Sequence, residues 1–254
     1  MPDRASDLFG AVSQAYAAHR PTYPDAFFAA FAERCPAQQV VWDCGCGSGQ
    51  ASLALAGHFA RVEASDASAE QLRHAPAHPR IHYRQAPAEA SGLASGSVDG
   101  VLVAAAVHWF AGEAFNQEVR RVARPGAVMA WIGYLPLQLQ LQHQALQASL
   151  DRFYGRTLEP WWPPQRHWVD QRYAGLPFPG QDWPFPEDLW IERHWDLRDL
   201  LGYLGTWSAV EQARREGADP LAELALELRD LWPRNGTEPL QMRWPFMGRW
   251  GLIR

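Results

Sequence analysis

Residues 40–50 read VVWDCGCGSGQ, and their types and spacing suit the binding of a nucleotide-like ligand. Three apolar residues lead to Asp43, and Gly45, Gly47 and Gly49 follow at alternate positions. Glycines let a backbone come close to a ligand, and the N-terminus of the helix predicted next offers unpaired N–H groups. We therefore expect a strand, a ligand-binding turn and a helix, in that order.

The spacing of these glycines separates the candidate ligands. A dinucleotide-binding fingerprint needs a small residue at its sixth position, which counted from Gly45 is Gln50. A phosphate-binding P-loop ends in Gly-Lys-Ser/Thr, and the sequence contains no lysine. An ordinary strand-to-helix turn is disfavoured, because three alternating glycines behind an acid are costly for that. What remains is the pattern D-x-G-x-G-x-G, which resembles motif I of the class I S-adenosylmethionine-dependent methyltransferases.

Two acids complete this first group of candidates. Asp66 ends the second predicted strand, where a carboxylate can accept both ribose hydroxyls of a nucleoside. Residues 65–68 also read as a helix cap, and the two roles are compatible. We expect Asp43, beneath the loop, to fix the loop and to bind the ligand's ammonium directly or through water.

Further candidates follow the third and fourth predicted strands. Ala88 and Glu89 follow the third predicted strand, where a doubly wound α/β fold places residues around an adenine, although a surface turn explains them equally well. The fourth strand ends in AAAVHWF, which places His108 at the ligand crevice. A histidine there can act as a general base or orient a substrate oxygen, with a structural role as the alternative.

The segment before residue 25 supplies one more candidate. A helix carrying Tyr16 should end near Arg20, because Pro21 and Pro24 restrict the residues before them. An arginine on such a bend suits bidentate binding of a carboxylate, from the cofactor or from a substrate. The alternative is that it pairs with Asp25 or caps a helix.

The elements that position these residues alternate through the first half of the chain. We predict strands near 39–44, 61–66, 81–85, 98–106 and 127–134, with helices near 49–59, from Ser68 and at 112–123, and a turn at 124–126. This order predicts a doubly wound parallel sheet with its ligand crevice beside the first strand. In the second half of the chain we predict helices near 137–154, 198–205, 208–216 and 220–231 and strands near 189–196 and 242–253. The segment between 154 and 189 is rich in proline and aromatic residues, and we expect it to form a packed cap.

We predict a single α/β domain over 1–254. Within it, 1–34 is an N-terminal helical cover, 35–134 the cofactor-binding core, 135–240 the cap and substrate region with the sixth strand, and 241–254 the terminal strand. The predicted fold is a Rossmann-like sheet of seven mostly parallel strands whose last strand is antiparallel, with the aromatic-rich helical cap inserted after the fifth strand.

Composition narrows the function classes. The apolar fraction of 47% is ample for a core, and no signal pattern or long apolar run predicts secretion or a membrane span. The net charge is −5 and the arginines are scattered, which disfavours nucleic acid as a substrate. Three cysteines, including Cys35, cannot all pair within one chain, and Cys44 and Cys46 are too close to each other for a disulfide. We therefore expect Cys44 and Cys46 to pack under the glycine turn, in a protein of the reducing cytoplasm.

Motifs that are missing narrow the reaction. After the fourth strand there is no Asp/Asn-Pro-Pro-aromatic run, which amine-methylating enzymes commonly carry, and no cysteine nucleophile for cytosine-C5 chemistry. No acid follows that strand until Glu113, so we expect no metal. Methyl transfer to an oxygen that is already nucleophilic needs mainly alignment.

Together these residues resemble the class I S-adenosylmethionine-dependent methyltransferases of the methyltransferase type 11 group, among them trans-aconitate methyltransferase-like proteins. The resemblance covers YAAHRPTYP, VWDCGCGSGQ, VEASDAS, APAE, SVDGVLVAAAVHWF and RVARPGAV, and later WWPPQRHWVDQRY, LPFP and GYLGTWSAV. Cys44 stands where the group usually has an aliphatic residue, and EASDAS replaces the usual GVD while keeping the acid.

The resemblance implies S-adenosylmethionine at the glycine turn and Asp66, with S-adenosylhomocysteine as product. The cofactor site is expected to hold Tyr16, Arg20, Asp43, Gly45, Cys46, Gly47, Gly49, Asp66, Ala67, Ala88, Glu89, Ala104 and Ala105. The substrate site is expected to hold Tyr23, His108, Trp109, Tyr134, Trp161, Trp162, His167 and Trp207, with Trp195 as a further cap residue. For each tryptophan, core packing is the alternative.

The leading hypothesis is a cytoplasmic methyltransferase, a monomer or homodimer, that acts on an oxygen of a small molecule, with no nucleic acid or membrane partner. The alternatives are a cofactor-binding protein without turnover and a nicotinamide-dependent oxidoreductase, against which Gln50 counts. A nucleic-acid methyltransferase comes last.

Overall fold

The computed structural model describes residues 20–254, which form two compact units. The first unit contains Thr22–Leu135, His167–Leu189 and Phe246–Arg254. The second contains Pro136–Arg166 and Trp190–Pro245, together with Arg20 and Pro21. Residues 167–189, which the sequence analysis grouped with the cap, thus belong to the first unit.

The first unit is built on a sheet with five parallel strands. These are β1 (Val40–Cys44), β2 (Arg61–Asp66), β3 (Ile81–Gln85), β4 (Val98–Ala104) and β5 (Ala123–Tyr134). Beside β5 runs the second part of β9 (Leu240–Ile253), antiparallel to it, and β7 (Gly180–Trp183) pairs antiparallel with β9. The strand order in this unit is therefore β3-β2-β1-β4-β5-β9-β7. The predicted fold class, seven mostly parallel strands with an antiparallel last strand, is confirmed.

The central strands are apolar because both of their faces are covered. Every residue of β1 is buried, and so are all but the last of β4. The helices of this unit are α1 (Asp25–Arg34), α2 (Gln50–Leu55), α3 (Ala69–Arg73), α4 (Glu113–Val122) and α6 (Arg166–Asp170), whose first residue falls in the second unit. Helix α1 buries Phe27, Phe28 and Phe31, and the Phe27 ring lies 5.1 Å from that of Phe246 on β9.

The second unit combines short strands with helices. Strands β6 (Gln138–Leu139) and β8 (Trp190–Trp195) pair antiparallel with the first part of β9. Helices α5 (Gln144–Arg152), α7 (Leu197–Gly205), α8 (Ser208–Arg215) and α9 (Pro220–Leu231) complete it. The predicted ranges 198–205, 208–216 and 220–231 match α7, α8 and α9 closely.

Three sequence-based expectations about elements were wrong. The strand predicted near 189–196 exists as β8, but it pairs with residues 240–245 of β9, and the sixth strand along the chain in the first unit's sheet is β7. The turn predicted at 124–126 lies inside β5, where Gly126 adopts a φ of +84°. The helix predicted near 137–154 is divided into β6, a 3-10 turn at Leu141–His143, α5 and a π-helical turn at Phe153–Thr157.

Candidate functional site

The glycine turn after β1 is tied to the end of β2 by backbone hydrogen bonds. The N–H groups of Gly45 and Cys46 both donate to the Ser65 carbonyl, at 2.8 and 3.0 Å. The Gly47 N–H donates to the Asp66 carboxylate at 2.8 Å. The expected ligand-binding turn is therefore anchored to the acid that was predicted to work with it.

The three glycines are required for different reasons. A Cβ atom on Gly45 would lie 2.8 Å from the Ala106 Cβ, and one on Gly49 would overlap the hydroxyl of Tyr83. Over Gly47 the nearest atom to such a Cβ is the Gln71 Oε1, at 3.8 Å. Packing within the protein thus demands glycine at 45 and 49, whereas residues 20–254 leave the face above Gly47 open for a ligand.

Both carboxylate oxygens of Asp66 accept hydrogen bonds from backbone N–H groups. Its Oδ1 accepts a hydrogen bond from the Ser68 N–H at 2.8 Å, and its Oδ2 holds the Gly47 N–H. Ser68 is the N-cap of α3, since its hydroxyl accepts from the Gln71 N–H. Burial raises the pKa of Asp66, and the hydrogen bonds from the Ser68 and Gly47 N–H groups lower it by less. Each carboxylate oxygen retains a second lone pair, which leaves capacity for ribose hydroxyls.

Asp43 lies under the same turn and is fully buried. Its Oδ2 accepts from the Ser52 hydroxyl at 2.5 Å, whereas its Oδ1 has no hydrogen-bond partner among residues 20–254. Burial raises the pKa of Asp43 to about 7; the hydrogen bond from Ser52 lowers it and the charge of Asp66 raises it. A buried carboxylate oxygen that has no protein partner is an acceptor suited to a cationic group of a ligand.

Tyr83 supports the turn from β3, on the far side of β2. The sheet register aligns Asp43 on β1 with Ala64 on β2 and Tyr83 on β3, so the three side chains share one face. The small Ala64 side chain leaves room for the Tyr83 ring, whose hydroxyl meets Gly49. Burial raises the pKa of Tyr83 to about 12.

The end of β4 turns sharply toward the same edge of the sheet. Ala105 adopts a φ of +52°, a left-handed conformation that costs a non-glycine residue about 1–2 kcal/mol. A 3-10 turn at Val107–Trp109 then carries His108, whose ring stacks on that of Tyr173 with centroids 6.4 Å apart. Backbone strain of this kind is typical of functional sites.

The other predicted site residues of the first unit are distributed around this edge. Ala104 is the last residue of β4, Trp109 lies beside His108, and Ala67 is exposed beside Asp66. Ala88 is half-buried and Glu89 exposed, on the connection that follows β3.

The remaining three residues of this unit are all aromatic. The Tyr23 ring lies 6.2 Å from that of Tyr134, the last residue of β5. His167 is exposed, with its ring 4.1 Å from that of Trp168.

The predicted tryptophans of the second unit lie in and around an aromatic cluster. Trp162 and Trp207 have centroids 5.6 Å apart, and Trp207 is buried. The Trp195 ring lies 5.1 Å from that of Trp244. Trp161 donates from its indole N–H to Glu216 at 2.9 Å. Packing therefore accounts for Trp207, as its alternative interpretation proposed.

Arg20 also belongs to the second unit. Its Nη2 donates to the Thr206 carbonyl at 3.1 Å, at the C-terminal end of α7, and its guanidinium lies 5.6 Å from the Tyr203 ring centroid. This contact matches the helix-capping alternative rather than pairing with Asp25, whose carboxylate bonds to His58. Tyr16 lies outside the described residues.

Sequence reasoning missed Ser52 and Tyr83. Ser52 could have been found from its position one helical turn into α2, on the side that returns to β1. Tyr83 could not, because its role depends on the register between strands. Within residues 20–254, no group of three His, Cys, Asp or Glu side chains could hold a metal ion. None of the helices in this part of the chain has the length and apolar character needed to cross a bilayer.

Comparison with known proteins agrees with this geometry. Residues 42–131 match a family model described as a methyltransferase domain. A provisionally named methyltransferase of Dictyostelium discoideum is 30% identical over 226 residues, covering 88% of this chain and 85% of that protein. The YcgJ protein of Bacillus subtilis, with 19% identity, a TM-score of 0.51 and coverage of 91% and 97%, shares the fold.

A solved structure from Anaeromyxobacter dehalogenans, provisionally described as a type II methyltransferase, is 47% identical. It has a TM-score of 0.82 and covers 92% of this chain and 98% of its own. The chain therefore belongs to the methyltransferase type 11 family of class I S-adenosylmethionine-dependent methyltransferases.

Proposed function

We propose that this protein binds S-adenosylmethionine at the glycine turn and transfers its methyl group to an oxygen of a small molecule, a carboxylate or a hydroxyl. The observation that carries the proposal is the arrangement of Asp43, Gly47 and Asp66 at the carboxyl ends of two adjacent strands. Three features meet there: an acceptor oxygen and a glycine face that the described part of the chain leaves uncontacted, and a hydrogen-bonded carboxylate.

The residues present fit this cofactor. Asp66 would accept the ribose hydroxyls with the lone pairs that the backbone N–H groups leave. The Asp43 Oδ1, which has no hydrogen-bond partner within the described residues, would accept from the methionine ammonium, directly or through water. The face of Gly47 would let the ligand approach the backbone. The adenine would lie at the connection that holds Ala88 and Glu89, and the strand order β3-β2-β1 supports this assignment.

When bound, S-adenosylmethionine supplies an electrophilic methyl group on a sulfonium sulfur. The contribution of the chain would be mainly positional, since aligning two reactants accounts for a large part of many rate enhancements. For a hydroxyl acceptor, His108 would accept the proton that leaves the oxygen. For a carboxylate no base is needed, and His108 would orient the acceptor.

The resemblance to trans-aconitate methyltransferase-like proteins supports the carboxylate, and the aromatic side chains near the end of β5 suit an acceptor with an apolar or planar part. Tyr23 and Tyr134 are the proposed contacts, with Trp109 and His167 as further candidates. We propose a cytoplasmic enzyme without a nucleic-acid or membrane partner, acting as a monomer or homodimer.

The test is isothermal titration calorimetry of the protein with S-adenosylmethionine and S-adenosylhomocysteine, compared with Asp66→Ala and Ser68→Ala. The second variant removes the N-cap of α3 while keeping the carboxylate, and so controls for the capping role of Asp66. We expect a dissociation constant in the micromolar range, about −8 kcal/mol, which weakens sharply in Asp66→Ala alone.

Absence of binding by the unaltered protein would contradict the proposal. Binding without transfer to any member of a panel of carboxylates and alcohols would favour the cofactor-binding protein without turnover. Binding of reduced nicotinamide dinucleotide in place of S-adenosylhomocysteine would favour the oxidoreductase.

A further inference from the structure

The connection between β3 and β4 is fastened to α4 by two side chains. The Glu118 Oε1 accepts from both the N–H and the hydroxyl of Ser91, at 2.8 and 2.5 Å. Arg121 donates to Glu118 through its Nε at 2.7 Å, and its Nη2 reaches the Leu93 carbonyl at 2.8 Å. One ion pair on a helix thus holds two points of the connection.

This clamp is an internal feature of the first unit. Ser91 is fully buried and Glu118 is 7% exposed. The hydrogen bond from Arg121 is the main cause that lowers the pKa of Glu118 to about 2, which keeps the carboxylate ionised at neutral pH. A buried ionised carboxylate with several donors holds its partners in a defined geometry.

The clamped connection lies next to the proposed cofactor site. It begins at Ala86, whose N–H donates to the Asp66 carbonyl at 3.0 Å. Its residues Ala88 and Leu93 pack on the same apolar cluster as Phe110 and Phe115. A nucleoside whose ribose is held at Asp66 extends toward this connection, because β3 is the neighbour of β2 on the side away from β1.

We infer that Glu118 and Arg121 are positioning residues that hold the connection after β3 in the conformation that receives the adenine end of the cofactor. Neither side chain need touch the ligand. The inference rests on the proposed function, since it assigns a role within the same site.

The protein contains a matched control for this clamp. Asp99, at the start of β4, is also a buried carboxylate that accepts two donors, the N–H groups of Gln39 and Val40, both at 2.9 Å. It is paired with Arg124 at 2.6 Å. The chemistry is the same, but Asp99 lies at the amino ends of the strands, at the opposite edge of the sheet from Asp66.

The experiment compares Glu118→Gln with Asp99→Asn in the full chain. Dissociation constants for S-adenosylhomocysteine and 5′-methylthioadenosine are measured by calorimetry, and stability by chemical denaturation. Both variants should be destabilised. Only Glu118→Gln should bind both ligands more weakly, by about tenfold, which is the lower end of the loss seen when the supporting partners of metal ligands are removed. The second ligand lacks the amino-acid end, so an equal loss for both localises the effect to the adenosine part.

Hydrogen exchange gives a readout that does not depend on binding. Amides of residues 86–97 should exchange faster in Glu118→Gln than in Asp99→Asn. Should Glu118→Gln fail to fold, Ser91→Ala removes only the hydroxyl donor, and the same selective loss of ligand affinity, smaller in size, is expected.

Equal affinities in Glu118→Gln and the unaltered protein, or equal losses in Glu118→Gln and Asp99→Asn, would overturn the inference alone. Failure of the unaltered protein to bind either ligand would overturn the proposed function, and the inference with it.

Discussion

The hydroxyl of Tyr83 occupies the space that a side chain at position 49 would need. Gly49 is the N-cap of α2 and adopts a φ of +81°, so both its backbone conformation and the Tyr83 side chain on β3 require a glycine there. The third glycine of the motif is therefore needed for the shape of the turn itself.

Replacing Gly49 should consequently damage the fold itself. Gly49→Ala combines about 1–2 kcal/mol for the left-handed conformation with about 1–3 kcal/mol for overpacking against Tyr83. Urea denaturation measures this loss. In the Tyr83→Phe background the loss should be smaller, because the hydroxyl that overlaps the new methyl group is gone. A loss of the same size in both backgrounds would show that the two residues do not meet.

Gly47→Ala should reduce ligand affinity strongly and stability only a little. Its φ of +55° costs alanine about 1 kcal/mol, but apart from the adjacent residues no atom of the described chain lies closer than 3.8 Å to the new Cβ, so the protein should fold. Affinity for S-adenosylhomocysteine should fall at least about tenfold, because the methyl group occupies the open face of the turn. Calorimetry and denaturation together measure both effects.

Gly96→Ala is the control for this variant. Gly96 has a φ of +59°, and among residues 20–254 only its chain neighbours lie within 4 Å of its Cβ position, so the backbone strain is similar. It should lose similar stability and keep its affinity for S-adenosylhomocysteine. Unchanged affinity in Gly47→Ala would remove Gly47 from the cofactor site.

Asp43 should make stability fall as the pH rises. Its pKa is raised to about 7 in the folded protein from an ordinary value of 3.8, so between these values the folded state binds more protons than the unfolded state. The free energy of unfolding contributed by this group therefore decreases from about pH 4 to about pH 7 and is constant above. Asp43→Asn should remove this decrease. The melting temperature of the variant minus that of the unaltered protein should therefore increase from about pH 4 to about pH 7 and be greatest above pH 7.

The same carboxyl should make cofactor binding depend on pH in the opposite sense. Only the ionised form of Asp43 can pair with the ammonium of S-adenosylhomocysteine, so affinity should rise as the pH passes through about 7. The affinity for 5′-methylthioadenosine, which has no ammonium, should rise less. Parallel pH profiles for the two ligands would contradict the ammonium role of Asp43.

The parallel half of the fold was predictable because its signals are local. β2 and β3 have the predicted bounds, and Ser68 caps α3 as its sequence context indicated. Strands β1 and β4 are runs of mostly apolar residues, and β2 and β3 are soon followed by the capping residue Ser68 and by Pro87.

What could not be predicted depends on pairing. β7 is four residues long with Pro184 directly after it, and none of its residues is buried, so nothing in the sequence marks it as a strand. It forms because it lies beside residues 250–253 of β9. β8 has a clearer strand pattern, but the sequence does not indicate which part of β9 it joins.

The candidate site divides in the same way. Asp43, the three glycines and Asp66 lie in sequence motifs, and their proximity follows from the order of the strands. The contacts of Tyr83 with Gly49 and of Glu118 with Ser91 join residues more than twenty positions apart, through register and helix docking. No spacing rule in the sequence reports such contacts.

The antiparallel pairing of β9 with β5 has a consequence for synthesis. Tyr134 pairs with Phe246, so more than a hundred residues are made after β5 before its partner strand exists. At about 5–20 residues per second, the apolar edge of β5 stays open for several seconds on the ribosome. An unpaired edge of this kind is a template for aggregation. We therefore expect expression yield to depend on chaperones that bind the nascent chain, more strongly than the stability of the finished protein would indicate.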